Sequence, residues 1–155
     1  KTAELLRTSA VMGAIIGKAN DAGVQAISTY SENIGLAFQI QDDLLDVIAD
    51  EGEFGKKIGG DILERKKTFL YLKALELLEG KKRDDFMFLY NSNGSTETKI
   101  KDIVNMYNDI CVIGSAKDEI ALYTDKANKS LDCIQSSNAR NLLERFSGML
   151  LNRSY

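Results

Sequence analysis

Apolar residues recur at helical spacing along nearly the whole chain. From Thr2 to Ala19, the positions Leu5, Leu6, Ser9, Met12, Gly13 and Ile16 fall along one stripe and predict a first helix. A second is predicted from Asp21 or Ala22 to about Val47. The segment ADEGEFGKKIGGDILERKKT then breaks the pattern, because Gly52, Gly55, Gly59 and Gly60 together cannot sustain a helix. Helix is expected again from about Lys67 to Leu78, ended by Gly80, and from Lys82 to Tyr90. The loop NSNGS, Asn91 to Ser95, follows. Thr96, Glu97 and Thr98 open a helix reaching about Val112 and stopped by Gly114; Ser115 to Ser136 and Asn138 to Asn152 supply the last two. No alternating strand pattern and no internal repeat is present. The expected fold class is all-α, with about six to seven helices.

Composition sharpens this picture. The chain has no proline, where average usage would give about eight, and this favours long uninterrupted helices. It has no histidine either, which excludes serine–histidine and cysteine–histidine nucleophilic schemes and histidine-ligated zinc. With 155 residues, 44% of them apolar, one domain over 1–155 is expected. Twenty basic and 23 acidic residues are intermixed, a net charge of −3, so no basic surface for nucleic acid is expected. No apolar run is long enough for a transmembrane helix. Cys111 and Cys133 are too few and too far apart for a disulfide framework, which suggests a reducing, cytoplasmic setting; small buried hydrophobes are their simplest reading.

The stretch FQIQDDLLDV, Phe38 to Val47, sets three aspartates in an otherwise oily segment. On a helix, Gln39, Asp42, Asp43 and Asp46 fall within a sector of about 100°, with Gly35 in the same sector one turn earlier. The other positions, Ile34, Leu36, Ala37, Phe38, Ile40, Leu44, Leu45 and Val47, are apolar; Gln41 is the exception. Such a helix belongs in the middle of a bundle, and its acidic stripe is expected to face an internal wet cavity. Asp42 and Asp46 lie about 6 Å apart along the axis and repel one another. The neutralising partner is then a set of lysines or a hard cation, and carboxylates without nitrogen or sulfur ligands suit Mg²⁺. A plain solvated face is the alternative, and the oily flanks weigh against it.

The next residues supply opposite charge: Lys56, Lys57, Arg65, Lys66 and Lys67. Glycines beside lysines let the backbone approach an anion and point N–H groups at it. A carboxylate stripe followed by a cationic loop is what a diphosphate–Mg²⁺ complex requires. Other signals are weaker. Asp84 and Asp85 suit a helix start. Phe86, Phe88, Tyr90 and Tyr107 are read as core. NMYNDICVIGSAKDE (Asn105 to Glu119) puts Val112 and Ala116 where a terpene-cyclase metal motif needs serine and glutamate.

FQIQDDLLD followed by GKKIGGDILERKKT resembles the second aspartate-rich region of the trans-isoprenyl diphosphate synthases, the farnesyl, geranylgeranyl and longer polyprenyl diphosphate synthases. Phe38, Gln39, Ile40, Asp42, Asp43, Leu45 and Asp46 match the first part. Gly55, Lys56, Gly59 and Asp61 match the second, and Lys66 and Thr68 the third. KTAELLRTSAVMGA at the start and EIALYTDKANKSL (Glu119 to Leu131) resemble further family segments, so the likeness covers essentially the whole chain. The resemblance implies the isoprenoid-synthase helical bundle and condensation of isopentenyl diphosphate with an allylic diphosphate to a longer isoprenyl diphosphate. It implies Mg²⁺ held by Asp42, Asp43 and Asp46, with Asp42 the principal ligand. It assigns Lys1, Lys56 and Lys66 to the allylic diphosphate, Thr2 and Gln39 to its pocket, and catalytic roles to Asp42, Lys56 and Lys66. The family pattern includes a first aspartate-rich motif, here expected upstream of Lys1. The chain is accordingly expected to be a C-terminal fragment without its N-terminal helices, inactive alone, from an enzyme that is a homodimer at full length. The alternatives are a non-catalytic regulatory subunit of a heteromeric prenyl synthase and, less favoured, another class I terpene synthase.

Overall fold

The computed structural model describes residues 1–48, 58–93 and 96–151. Among the described residues there are eight α-helices, one 3₁₀ turn and no strand. The helices are α1 (Thr2–Ile16), α2 (Asp21–Ile48), α3 (Gly60–Leu63), α4 (Phe69–Leu77), α5 (Gly80–Asn91), α6 (Thr96–Asp109), α7 (Val112–Ser130) and α8 (Asn138–Leu151), with the 3₁₀ turn at Leu131–Cys133. The all-α expectation holds. The helix beyond those expected is the four-residue α3, inside the glycine-rich segment.

Several ends differ from expectation, each for a local reason. α1 stops at Ile16 rather than Ala19, because Lys18 turns left-handed (φ 57°) and the Lys18 and Ala19 N–H groups reach back to the Ile15 and Ala14 carbonyls. Gly80 opens α5 instead of ending α4, which has already stopped at an extended Leu78. Gly114 lies inside α7. The break there falls at Cys111, another left-handed non-glycine residue (φ 57°), so α6 ends at Asp109.

The chain divides into two compact units, Lys1–Gln41 with the described residues from Glu119 on, and Asp42–Asp118. In the first, Tyr30, Ile34, Ala127 and Leu131 form a buried cluster, with Ile27, Phe38, Ile134 and Leu143 packed against it. The Tyr30 hydroxyl donates to the Leu143 carbonyl (2.6 Å) and meets Ser147 Oγ (3.0 Å), tying α2 to α8. Gly35 is where α1 meets α2: a Cβ there would stand 2.4 Å from Ala3 Cα. No residue of α1 is fully buried, and Leu5, Met12 and Ile16 of the predicted stripe are exposed.

The second unit is built on an aromatic cluster. Tyr71, Phe86, Tyr90 and Tyr107 pack with ring centroids 4.5–6.0 Å apart, the tilted arrangement that aromatic quadrupoles favour. α5 and α3 both pack on α6. Phe86, Tyr90 and Tyr107 are core as expected, but Phe88 is 80% exposed, because it sits on the opposite side of α5 from its neighbours. Asp84 and Asp85 are exposed and stand beyond the first turn of α5, so they are not helix-start acids. Cys111 and Cys133 are exposed free thiols rather than buried hydrophobes, Cys111 because it occupies the turn between two helices.

Candidate functional site

The last turns of α2 carry Asp42, Asp43 and Asp46, and the helix is unbroken through them. Ile40, Leu44, Leu45 and Val47 are buried, as the oily pattern requires. The three acids do not share one environment: Asp42 is exposed, Asp46 half-buried and Asp43 only 8% exposed. The stripe therefore runs from solvent into the protein and does not face an enclosed wet cavity as a whole.

Backbone N–H groups meet both inner acids. Asp43 Oδ2 accepts the N–H of Phe69 at 2.8 Å, the first residue of α4. Asp46 Oδ2 accepts the N–H of Asp61 at 2.9 Å in α3, and the Gly60 N–H also bonds this carboxylate. A helix start presents unsatisfied N–H groups and a partial positive charge, so each carboxylate stabilises the helix it touches and is stabilised by it. The backbone is drawn in as well: the Gly59 N–H donates to the Asp46 carbonyl at 2.7 Å. Gly59 is left-handed (φ 75°), and a Cβ there would stand 2.8 Å from the Ile100 side chain, so glycine is required. Burial raises the Asp46 carboxyl above its ordinary value. The Asp61 N–H opposes that shift without cancelling it, and the neighbouring Asp61 charge adds to it.

Lys66 belongs to the same unit, and its charge acts on Asp46. Its Nζ donates to Asp61 Oδ1 at 2.6 Å and pairs with Glu64 Oε2 at 3.0 Å. These partners, Asp61 first, raise its basicity well above the ordinary lysine value. Asp61 thus joins the two halves, its N–H on Asp46 and its carboxylate on Lys66. Thr68 caps α4, its Oγ1 accepting the Tyr71 N–H at 3.4 Å. Lys56 and Lys57 lie outside the described residues.

In the first unit, the Thr2 hydroxyl donates to Gln39 Oε1 at 2.9 Å, so these two predicted residues do meet. Lys1 is exposed at the N-cap of α1. From the sequence, Asp61 stood only as a motif match and Tyr90 only as core, and Glu64 had no role. Asp61 and Glu64 carried a signal, acids at helix spacing just before a lysine. The Tyr90 hydroxyl, which donates to the Lys66 carbonyl at 2.6 Å, carried none.

Asp42 at the solvent edge fits a hard cation, which takes one or two carboxylates and fills its shell with water and phosphate oxygens. Asp43 and Asp46 each have an oxygen on a helix start, and among the described residues no three acids converge to hold a metal by themselves. The donors present suit a shared cation bridged to an anionic ligand, not an all-protein cage.

Residues 1–107 match the polyprenyl synthetase family. The chain is 32% identical over its full length to a short chain isoprenyl diphosphate synthase of Methanothermobacter thermautotrophicus, covering 47% of that protein. It superposes on the crystal structure of a geranylgeranyl pyrophosphate synthetase from Pyrococcus horikoshii with a TM-score of 0.91, at 32% identity, over 99% of this chain and 46% of that one. A polyprenyl synthase from Caulobacter crescentus, crystallised with calcium and isoprenyl diphosphate, superposes with a TM-score of 0.86 at 28% identity, over 100% of this chain and 47% of that one. The chain spans about half the length of the curated relatives it matches.

Proposed function

Because the chain belongs to the polyprenyl synthetase family, we propose that it carries the allylic-diphosphate side of a prenyl diphosphate synthase. The enzyme condenses isopentenyl diphosphate with an allylic diphosphate to a longer isoprenyl diphosphate. The observation that supports this most is the chain of contacts from Asp46 through Asp61 to Lys66, beside an exposed Asp42. It sets a carboxylate able to share a cation and an ammonium able to share a phosphate on one rigid frame.

In the reaction, the allylic C–O bond breaks and its electron pair leaves with pyrophosphate. The isopentenyl double bond supplies the pair for the new C–C bond, and a proton passes from the adjacent carbon to the departing pyrophosphate. When bound, Mg²⁺ neutralises the charge that develops on that leaving group. Asp42 would be its principal protein ligand. Asp43 and Asp46 hold α4 and α3 in place and would help Asp42 hold the metal, directly or through water. Lys66 and Lys56 would take the outer phosphate oxygens; a lysine acts there as a mobile point charge. Lys1, Thr2 and Gln39 are assigned to the same ligand from the resemblance. No histidine is needed anywhere in this scheme, in keeping with the composition. The 155 residues carry one acidic cluster of this kind and are expected not to turn over alone. A homodimer and a cytoplasmic location complete the reading. Among the described residues no helix is long and apolar enough to cross a membrane, and the thiols are free.

The test is calorimetric titration of the chain with inorganic pyrophosphate, with and without Mg²⁺. Binding should require Mg²⁺, and Asp42→Asn should weaken it by more than about tenfold. Pyrophosphate binding that is absent, or indifferent to Mg²⁺ and to Asp42, overturns the assignment.

A further inference from the structure

Lys66 stands on a backbone turn that Tyr90 holds from the buried side and Asn93 from the exposed side. Arg65, just before it, is left-handed at φ 55°, a conformation that costs a non-glycine residue about 1–2 kcal/mol and persists only where its surroundings impose it. Its guanidinium donates to Asn93 Oδ1. The Lys66 carbonyl accepts the Tyr90 hydroxyl at 2.6 Å, from a side chain that is only 1% exposed. Behind Tyr90 lies Lys99, 4% exposed, its Nζ 5.9 Å from the centre of the Tyr90 ring and donating to the Ser92 carbonyl at 3.0 Å. Burial of an ammonium is unfavourable, and here burial lowers the Lys99 basicity, with the Arg65 charge adding to the effect. Tyr90 at the end of α5 and Asn93 just after it thus grip the turn that carries Lys66, and Lys99 of α6 packs behind Tyr90.

We propose that Tyr90 is a positioning residue for Lys66, its buried hydroxyl fixing the Lys66 backbone so that the ammonium is presented to a diphosphate, with Asn93 bracing the same turn and Lys99 packed behind the Tyr90 ring. This rests on the function assigned above. Two features favour it over a packing role. The hydroxyl bonds the carbonyl of the lysine itself, whereas the ring alone would satisfy the aromatic cluster. The turn it holds also contains a left-handed arginine, so its backbone is strained and depends on specific contacts to keep its shape.

The experiment is a double-mutant cycle read by the affinity of the chain for inorganic pyrophosphate with Mg²⁺. Tyr90→Phe removes one oxygen and keeps the ring. One net hydrogen bond corresponds to about a three- to tenfold weakening. In a Lys66→Ala background the same change should have no further effect, because the group it positions is gone. Phe86→Leu, in the same cluster but without contact to Lys66, should lower the melting temperature and leave the affinity of the folded chain unchanged. Should Tyr90→Phe prevent folding, Asn93→Ala at the exposed end of the brace takes its place with the same expected Lys66-dependent loss. Equal affinity in wild type and variant, or a loss that persists without Lys66, overturns the positioning role and leaves the functional assignment standing. Failure of the wild-type chain to bind Mg²⁺-pyrophosphate overturns both.

Discussion

Gly35→Ala tests the contact that seats α1 on α2. A Cβ at Gly35 would lie 2.4 Å from Ala3 Cα, 2.8 Å from Ala3 Cβ and 3.2 Å from the Ala3 nitrogen, so it meets backbone and not a flexible side-chain tip. Carbon atoms in contact sit about 3.5–4.0 Å apart, so α1 must withdraw by about 1.1–1.6 Å. Overpacking of this kind costs about 1–3 kcal/mol. Alanine in a helix interior recovers about 0.5–1 kcal/mol over glycine. The net expectation is a loss of up to about 2.5 kcal/mol, centred near 1 kcal/mol, or a few degrees in melting temperature for a chain of this size. The displacement also pulls Thr2 away from Gln39, whose hydrogen bond spans 2.9 Å. Gly13→Ala is the matched control. It too lies in a helix interior, but nothing stands within 4 Å of its Cβ position, so it should gain about 0.5–1 kcal/mol. Urea unfolding of both variants reads the sign directly. A Gly35→Ala chain as stable as wild type, or one that gains as Gly13→Ala does, refutes the close approach.

Other outcomes follow from the same geometry. Asp43→Ala removes the acceptor of the part-buried Phe69 N–H and should lower stability by about 0.5–1.5 kcal/mol in urea unfolding. Glu64→Gln removes one of the two carboxylates competing for the exposed Lys66 ammonium. It should tighten Mg²⁺-pyrophosphate binding by a factor of about two in calorimetry, with the gain shrinking at high salt. Tyr30→Phe deletes the hydroxyl that joins α2 to α8 and should cost about 1 kcal/mol at neutral pH. Burial raises the Tyr30 pKa above 10, so its contribution is complete below the unfolded tyrosine value and is lost as pH rises through the folded one. The alkaline fall in wild-type stability above about pH 10 should therefore be shallower in the variant, which a urea series across that range would show.

The helices themselves were legible in the sequence because a helix closes its hydrogen bonds four residues away, and the pattern that buries one face is written in the same window. α2 ran from Asp21 to Ile48, almost where periodicity placed it, although its acids do not share the one environment the spacing suggested. The polyprenyl synthetase family was legible for a related reason, since fixed spacings of aspartate, glycine and lysine are themselves sequence. Ends set by backbone conformation were not. Lys18 and Cys111 turn left-handed without being glycine, while Gly114 stays helical, because packing overrules local preference. Packing alone also decided how the acids are met. Asp43 and Asp46 reach N–H groups 26 and 15 residues further on, and Tyr90 reaches a carbonyl 24 residues back. Such bonds join groups that no local rule relates, so they exist only once α3, α4 and α5 have closed on the end of α2.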